Sequence, residues 1–157
     1  MAKVIIIYYS KTGNTKKMAQ LIAEGITQEK VHVVVKDVID VSAVELLEYD
    51  GIIIGSPTYY GTMSWQIKKL LDDSVKFHGK LDGKLGAAFA SSANIAGGNE
   101  TTILDIVNAM LIHGMIIQGD PNGDHYGPVA IGSPDERSSA ECIRMGIRFA
   151  KLLKKCI

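Results

Sequence analysis

The chain is sparing in the features that announce most functions. It has two cysteines among 157 residues and no internal repeat, low-complexity tract or linker. Cys142 and Cys156 stand 14 residues apart in one helical pattern. At ~1.5 Å rise per residue their Cα atoms lie about 21 Å apart, against a disulfide limit near ~7 Å. They form no CxxC pair and have no ligand spacing with the four histidines, so both read as structural thiols and no metal is expected. Net charge is missing too, since 17 basic and 17 acidic residues cancel. That balance excludes a basic field for nucleic acid and a polybasic membrane patch. No apolar run approaches the ~20 residues of a membrane span. Val4–Tyr9 is too short and too β-branched for the core of a signal peptide. The expectation is a cytoplasmic protein with neither nucleic acid nor membrane as partner.

What is present is an alternation of strand and helix patterns from end to end. Lys3–Tyr9 is apolar without interruption, as a central parallel strand buried on both faces must be. Helical spacing follows over Thr15–Gln28, with Met18, Leu21, Ile22 and Ile26 on one face. Val31–Asp37 is a second strand nearer an edge, because His32 and Lys36 interrupt it. A short helix over Ala43–Leu47 precedes a third strand, Gly51–Gly55. A helix over Ser64–Val75 turns Ile67, Leu70 and Leu71 inward. Leu85–Ala90 is a fourth strand, and Thr101–His113 a helix with Ile103, Ile106, Val107, Met110 and Leu111 inward. Met115–Gln118 begins a fifth strand that Gly119–Tyr126 interrupts and Val129–Ile131 continues. Within that excursion His125 and Tyr126 belong either to a site rim or to solvent. Ser133-Pro134-Asp135-Glu136 reads as a capping box with proline at the first helical position. Ala140, Ile143, Ile147 and Ala150 line the face of the helix that follows. Five βα units predict one α/β domain over 1–157, a parallel sheet covered on both faces.

Three loops carry residues that the fold itself does not need, and they follow the first, third and fourth strands. They therefore open on one rim, at the C-terminal ends of the strands where such sheets bind ligands. The first, Ser10-Lys11-Thr12-Gly13-Asn14-Thr15, offers three hydroxyls, a lysine and the free N–H groups of a helix start, an anion cradle suited to a phosphate monoester. It lacks the GxxxxGK[ST] of a P-loop and the GxGxxG of a dinucleotide fold. The acidic residues with which response regulators hold magnesium at this position are also missing. In the second loop Pro57 stiffens the entry, Tyr59 and Tyr60 offer flat faces, and Gly61 permits close approach or a peptide flip. The third, Ser91–Gly98, has small residues whose backbone donors can reach ring carbonyls. Trp65, early in the next helix, reads as core or interface packing, and His113 as structural.

At these residues the chain resembles the flavodoxin superfamily. Ser10–Thr15 is similar to its S/T-x-T-G-x-T phosphate loop. Gly55-Ser56-Pro57-Thr58-Tyr59-Tyr60-Gly61-Thr62-Met63-Ser64 is similar to the G-[ST]-P-T-x-[FY]-G-x-M-S loop of the tryptophan-repressor-binding-protein branch, the flavodoxin-like NAD(P)H:quinone oxidoreductases. The chain looks like a short form of that branch, with almost nothing between its second and third strands and Ile112 where the branch has the first of two histidines. The resemblance implies a flavodoxin-like three-layer sandwich with strand order 2-1-3-4-5 and FMN as cofactor. It implies that Ser10, Lys11, Thr12, Gly13, Asn14 and Thr15 bind the phosphate. Pro57, Thr58, Tyr59, Tyr60, Gly61, Thr62 and Met63 would cover the ring and its N5 side, and Ser92, Ala93, Asn94, Ile95, Gly97 and Gly98 would meet the pyrimidine side. No catalytic side chain is expected, since the chemistry belongs to the flavin; a backbone carbonyl near Gly61 is expected to respond to protonation at N5. The implied function is electron carriage between redox partner proteins, the alternative being reduction of a quinone by NAD(P)H at the same site. A homo-oligomer is compatible with either.

Overall fold

A computed structural model describes residues 2–157. The elements are β1 (Lys3–Tyr8), α1 (Asn14–Gln28), β2 (His32–Asp37), β3 (Gly51–Pro57), α2 (Trp65–Asp73), β4 (Leu85–Ser92), α3 (Asn99–Ile112), β5 (Ile116–Ile117), β6 (Val129–Ile131) and α4 (Glu136–Cys156). The sheet runs β2-β1-β3-β4-β5, and every pairing is parallel. β5 pairs with Leu85 and Gly86, while β6 pairs with Ala90–Ser92 further along the same strand. The two are halves of one interrupted fifth strand, as the sequence suggests. The short helix expected at Ala43–Leu47 is a 3-10 segment, Ala43–Glu48.

Alternation along β1 builds the three layers. Val4, Ile6 and Tyr8 share a core with Met18, Ile22 and Ile26 of α1 and with Cys142, Phe149 and Leu153 of α4. Ile5 and Ile7 face the other way, into a core with Ile67 and Leu70 of α2 and Ile103, Ile106 and Met110 of α3. With layers on both sides, a period-2 strand has no polar face, which is why β1 reads as a continuous apolar run. β2 lies at the edge and tolerates His32 and Lys36.

α4 departs from expectation in two respects. Its N-cap is Asp135, one residue past Pro134. The Asp135 carboxylate accepts from the Ser138 N–H at 2.8 Å, and the Ser138 hydroxyl oxygen accepts from the Asp135 N–H at 2.9 Å. A carboxylate with a partner three residues on outcompetes Ser133 for the role. Its buried face is Cys142, Gly146, Phe149, Ala150 and Leu153, and Ala140 is exposed. The cause is a glycine crossing with α1. A Cβ on Gly25 would lie 2.2 Å from the Ile143 carbonyl oxygen, and one on Gly146 would lie 2.1 Å from that of Ile22. Backbones in contact fix the rotation of α4, so Ile143 and Ile147 flank the seam instead of filling it.

Other side chains also depart from their expected places. Leu111 is exposed, and Trp65 is 70% exposed, which removes the core half of its reading and leaves interface packing. His113 is structural. The Ser74 hydroxyl donates to the Leu71 carbonyl at 2.6 Å, so the His113 Nε2–H donates to Ser74 Oγ at 2.7 Å. Burial, and secondarily His78, lowers the imidazole pKa. Both cysteines are free, and burial pushes the Cys142 thiol up to about 12, leaving it inert.

The Gly119–Tyr126 excursion is strapped to α4. Arg144 forms a two-pronged pair with Asp120 at 2.7 and 3.0 Å, and Arg137 meets Asp124 at 2.8 Å. His125 and Tyr126 border a cavity between the sheet and Phe149 of α4, away from the three loops. Hydrogen bonding from Arg144 holds the Asp120 carboxyl down at about 2, against 3.8 ordinarily. A lowered native pKa means the stabilisation is whole above pH ~4 and disappears as pH falls toward ~2. The protection factors of residues 119–127, taken against intrinsic exchange at each pH, are therefore expected to fall in that window, and an Arg144→Met chain to start losing protection at higher pH.

Candidate functional site

The C-terminal ends of β1 and β3 are neighbours at the point where strand order reverses, and the Tyr9 N–H donates to the Gly55 carbonyl there at 3.2 Å. A cavity of about 350 Å³ opens at this edge, within the ~300–1,000 Å³ common for ligand pockets. Its walls come from all three loops: Ser10, Lys11, Thr12, Asn14 and Thr15; Pro57, Thr58 and Tyr59; Ser91, Ser92 and Ala93; with Gly132 closing the side.

The first loop is a helix start left open. Gly13 caps α1 at φ +95° and no side chain caps the helix, whereas Ser64 caps α2 and Asp135 caps α4. The first backbone bond of α1 is Lys17 N–H to Gly13 carbonyl, and among the described residues the N–H groups of Asn14, Thr15 and Lys16 take no protein acceptor. Ser10 Oγ accepts from the Gly13 N–H at 3.0 Å, which leaves its own proton to give. Thr15 is buried and shares a hydrogen bond with Ser91 Oγ at 2.9 Å, tying this loop to the end of β4. No acidic residue lies in the first turn, and among the described residues Lys11, Lys16 and Lys17 form no ion pair. Positive potential from helix end and lysines is unopposed.

The second loop is a hairpin. Tyr59 and Thr62 exchange both backbone hydrogen bonds, at 2.9 and 3.2 Å, with Tyr60 at φ +49° and Gly61 at φ +79° between them. Two positive φ values are what a type I′ turn requires. The Tyr59 ring lies 6.5 Å from that of Tyr9, and burial, then Tyr9, raises its phenol pKa. The Tyr60 side chain is fully exposed. The Thr62 hydroxyl donates to Asp105 at 2.6 Å. Met63, placed on the ring side by the resemblance, is instead 7% exposed and packs in the α2–α3 core.

In the third loop the Asn94 carbonyl accepts from Ser92 Oγ at 2.9 Å and from the Gly97 N–H at 3.1 Å. Asn94, Ile95 and Gly97 are exposed and lie outside the cavity wall. Gly98 caps α3 at φ +94°, and a Cβ there would lie 2.6 Å from the Gly61 Cα. Its smallness serves the contact between loops. Residues the sequence did not single out hold this corner together. Asn99 Nδ2 donates to Ser92 Oγ at 3.2 Å, Thr101 reaches the Gly61 carbonyl at 2.5 Å, and Thr102 meets Thr58 Oγ1 at 3.0 Å. Gly132 was not singled out either; its signal was its place at the start of the loop after the fifth strand, on the same edge.

A sequence model of the flavodoxin family matches residues 6–92. A flavodoxin of Aquifex aeolicus is 39% identical, covering 96% of this chain and 86% of its own. An NAD(P)H dehydrogenase (quinone) of Archaeoglobus fulgidus is 33% identical over 99% of both chains. That alignment runs over 189 positions against 157 residues, so at least 32 of its positions face a gap in this chain. The solved structure of a flavodoxin from the domain Archaea superposes with a TM-score of 0.82 at 34% identity, covering 97% of this chain and 99% of that one. Sheet order, the open helix start on the rim and these likenesses agree, and the chain belongs to the flavodoxin family.

Proposed function

We infer that the protein is an FMN-binding electron carrier working between redox partner proteins. One observation carries the reading: the helix start facing the cavity is capped by a left-handed glycine and leaves its first-turn N–H groups free. With the spare proton of Ser10, the Thr12 hydroxyl and Lys11, that donor set fits a phosphate monoester. The walls above it, Pro57, Tyr59, Ser92 and Ala93, suit a flat heterocycle with one wet edge. FMN bound there supplies the one-electron chemistry of its ring; the residues of the chain bind it, orient it and leave an edge open. Fluorescence titration of the apoprotein is expected to show tight quenching of FMN at micromolar protein, and an absence of quenching overturns the reading.

The hairpin also narrows which carbonyl can answer a proton at the ring edge. Those of Tyr59 and Thr62 serve each other's N–H, and that of Gly61 accepts from Thr101. Among the described residues the Tyr60 carbonyl takes no hydrogen bond, so the responsive peptide is the one joining Tyr60 to Gly61. Gly61 supplies the φ freedom and Tyr60 the acceptor. Gly61→Ala is expected to move the two one-electron potentials relative to each other; unchanged potentials would remove this role.

The second reading, hydride from NAD(P)H passed on to a quinone, is favoured by relatives named NAD(P)H dehydrogenase (quinone). Mixing the FMN-loaded protein with NADH or NADPH under anaerobic conditions separates the two. The carrier is expected to stay yellow; bleaching within a turnover time establishes the enzyme.

A further inference from the structure

Tyr60 holds a left-handed backbone, unfavourable for a bulky residue, while its fully exposed side chain touches nothing that would keep it there. The restraint comes from α3. Thr101 and Asp105 stand four residues apart, on one face of that helix. Thr101 Oγ1 lies 2.5 Å from the Gly61 carbonyl oxygen, and Asp105 accepts from the Thr62 hydroxyl at 2.6 Å. Thr101 Oγ1 is also 2.9 Å from the Gly98 carbonyl oxygen. That oxygen already accepts from the Thr102 N–H at 3.0 Å and from the Thr102 hydroxyl at 2.8 Å, whereas among the described residues Gly61's has no other partner. One hydroxyl proton serves two carbonyls, and distance and vacancy both assign it to Gly61.

We propose that Thr101 and Asp105 form a latch that holds hairpin 59–62 in its strained turn, and that they are thereby positioning residues for the ring of the flavin. The second clause rests on the FMN reading; the first does not. The latch can open without leaving the Thr101 hydroxyl unpaired, because the Thr102 hydroxyl, 3.0 Å from Thr58 Oγ1, can turn to Thr58 and free the Gly98 carbonyl for Thr101. The hairpin is thus held in one form with a short path to another.

The test is amide exchange at Tyr59 and Thr62 in the apoprotein, followed by FMN titration and redox titration of the loaded protein. Thr101→Val is expected to speed exchange about tenfold and weaken FMN about tenfold, the loss of one good hydrogen bond, and to shift the spacing of the two one-electron potentials. Thr101→Ser is expected to restore all three, and Asp105→Ala to add to the Thr101→Val effect on exchange. Exchange in Thr101→Val within twofold of wild type overturns the latch, as does Thr101→Ser behaving like the valine variant. If the wild-type chain does not quench FMN, the cofactor reading and the positioning role both fall, while the exchange rates still decide the latch itself.

Discussion

Alanine at Gly146 is expected to cost about 3 kcal/mol or more and to lower the melting temperature by roughly 10 °C. The added methyl would sit 2.1 Å from the Ile22 carbonyl oxygen, 3.0 Å from the Ile26 nitrogen and 3.1 Å from the Gly25 Cα. All three are backbone atoms in the C-terminal half of α1, so no side chain can swing aside. The helices must separate instead, and Ile22, Ile26, Cys142 and Phe149, buried between them and the sheet, lose packing together. Gly79→Ala is the control. Its Cβ meets nothing within 4 Å and pays only for φ +80°, about 1–2 kcal/mol. Equal melting temperatures for the two variants would show that the α1–α4 seam yields.

The same seam shows where reading the chain fell short. Ala140, Ile143, Ile147 and Ala150 repeat at helical spacing, but so do Cys142, Gly146, Phe149 and Leu153 one step round the helix. Hydropathy favours the first stripe because glycine scores nothing. The decisive fact, that a missing side chain admits another backbone, belongs to the partner helix and is invisible in α4 alone. Strands fared better. A run such as Val4–Tyr8 has to be buried on both faces whatever packs on it, and strand order then follows from the family resemblance.

The rim was legible for a related reason. Ser10–Thr15, Pro57–Tyr59 and Ser92–Ala93 stand at or just past the C-terminal ends of strands, and a parallel sheet delivers all such segments to one edge. What local sequence does not encode is which way each loop residue turns. Met63 precedes Ser64, whose hydroxyl caps α2, and the chain has already dived into the core by then. Thr101, Thr102 and Asn99 look like ordinary surface residues of a helix start; their partners Gly61, Thr58 and Ser92 are brought to them by topology. Hydroxyls that organise a site from a distance in sequence carry no local mark.

Aspartate at Thr12 is expected to separate FMN from riboflavin. Thr12 is exposed on the cavity wall beside the open start of α1, so the substitution creates no clash and buries no charge. A carboxylate near a helix N-terminus is itself favourable, by about 0.3–1 kcal/mol, so the fold is expected to keep or slightly raise its melting temperature. The ligand pays instead. The carboxylate occupies the free N–H groups of Asn14–Lys16 and repels a phosphate that carries like charge, and FMN affinity is expected to fall about 100-fold, close to 2.7 kcal/mol. Riboflavin, with the same ring and no phosphate, is expected to bind the two proteins within about threefold, and the FMN loss to shrink as added salt screens the repulsion. An equal loss for both ligands would mean that Thr12 shapes the ring pocket, and no loss for either would move the phosphate away from this helix start altogether.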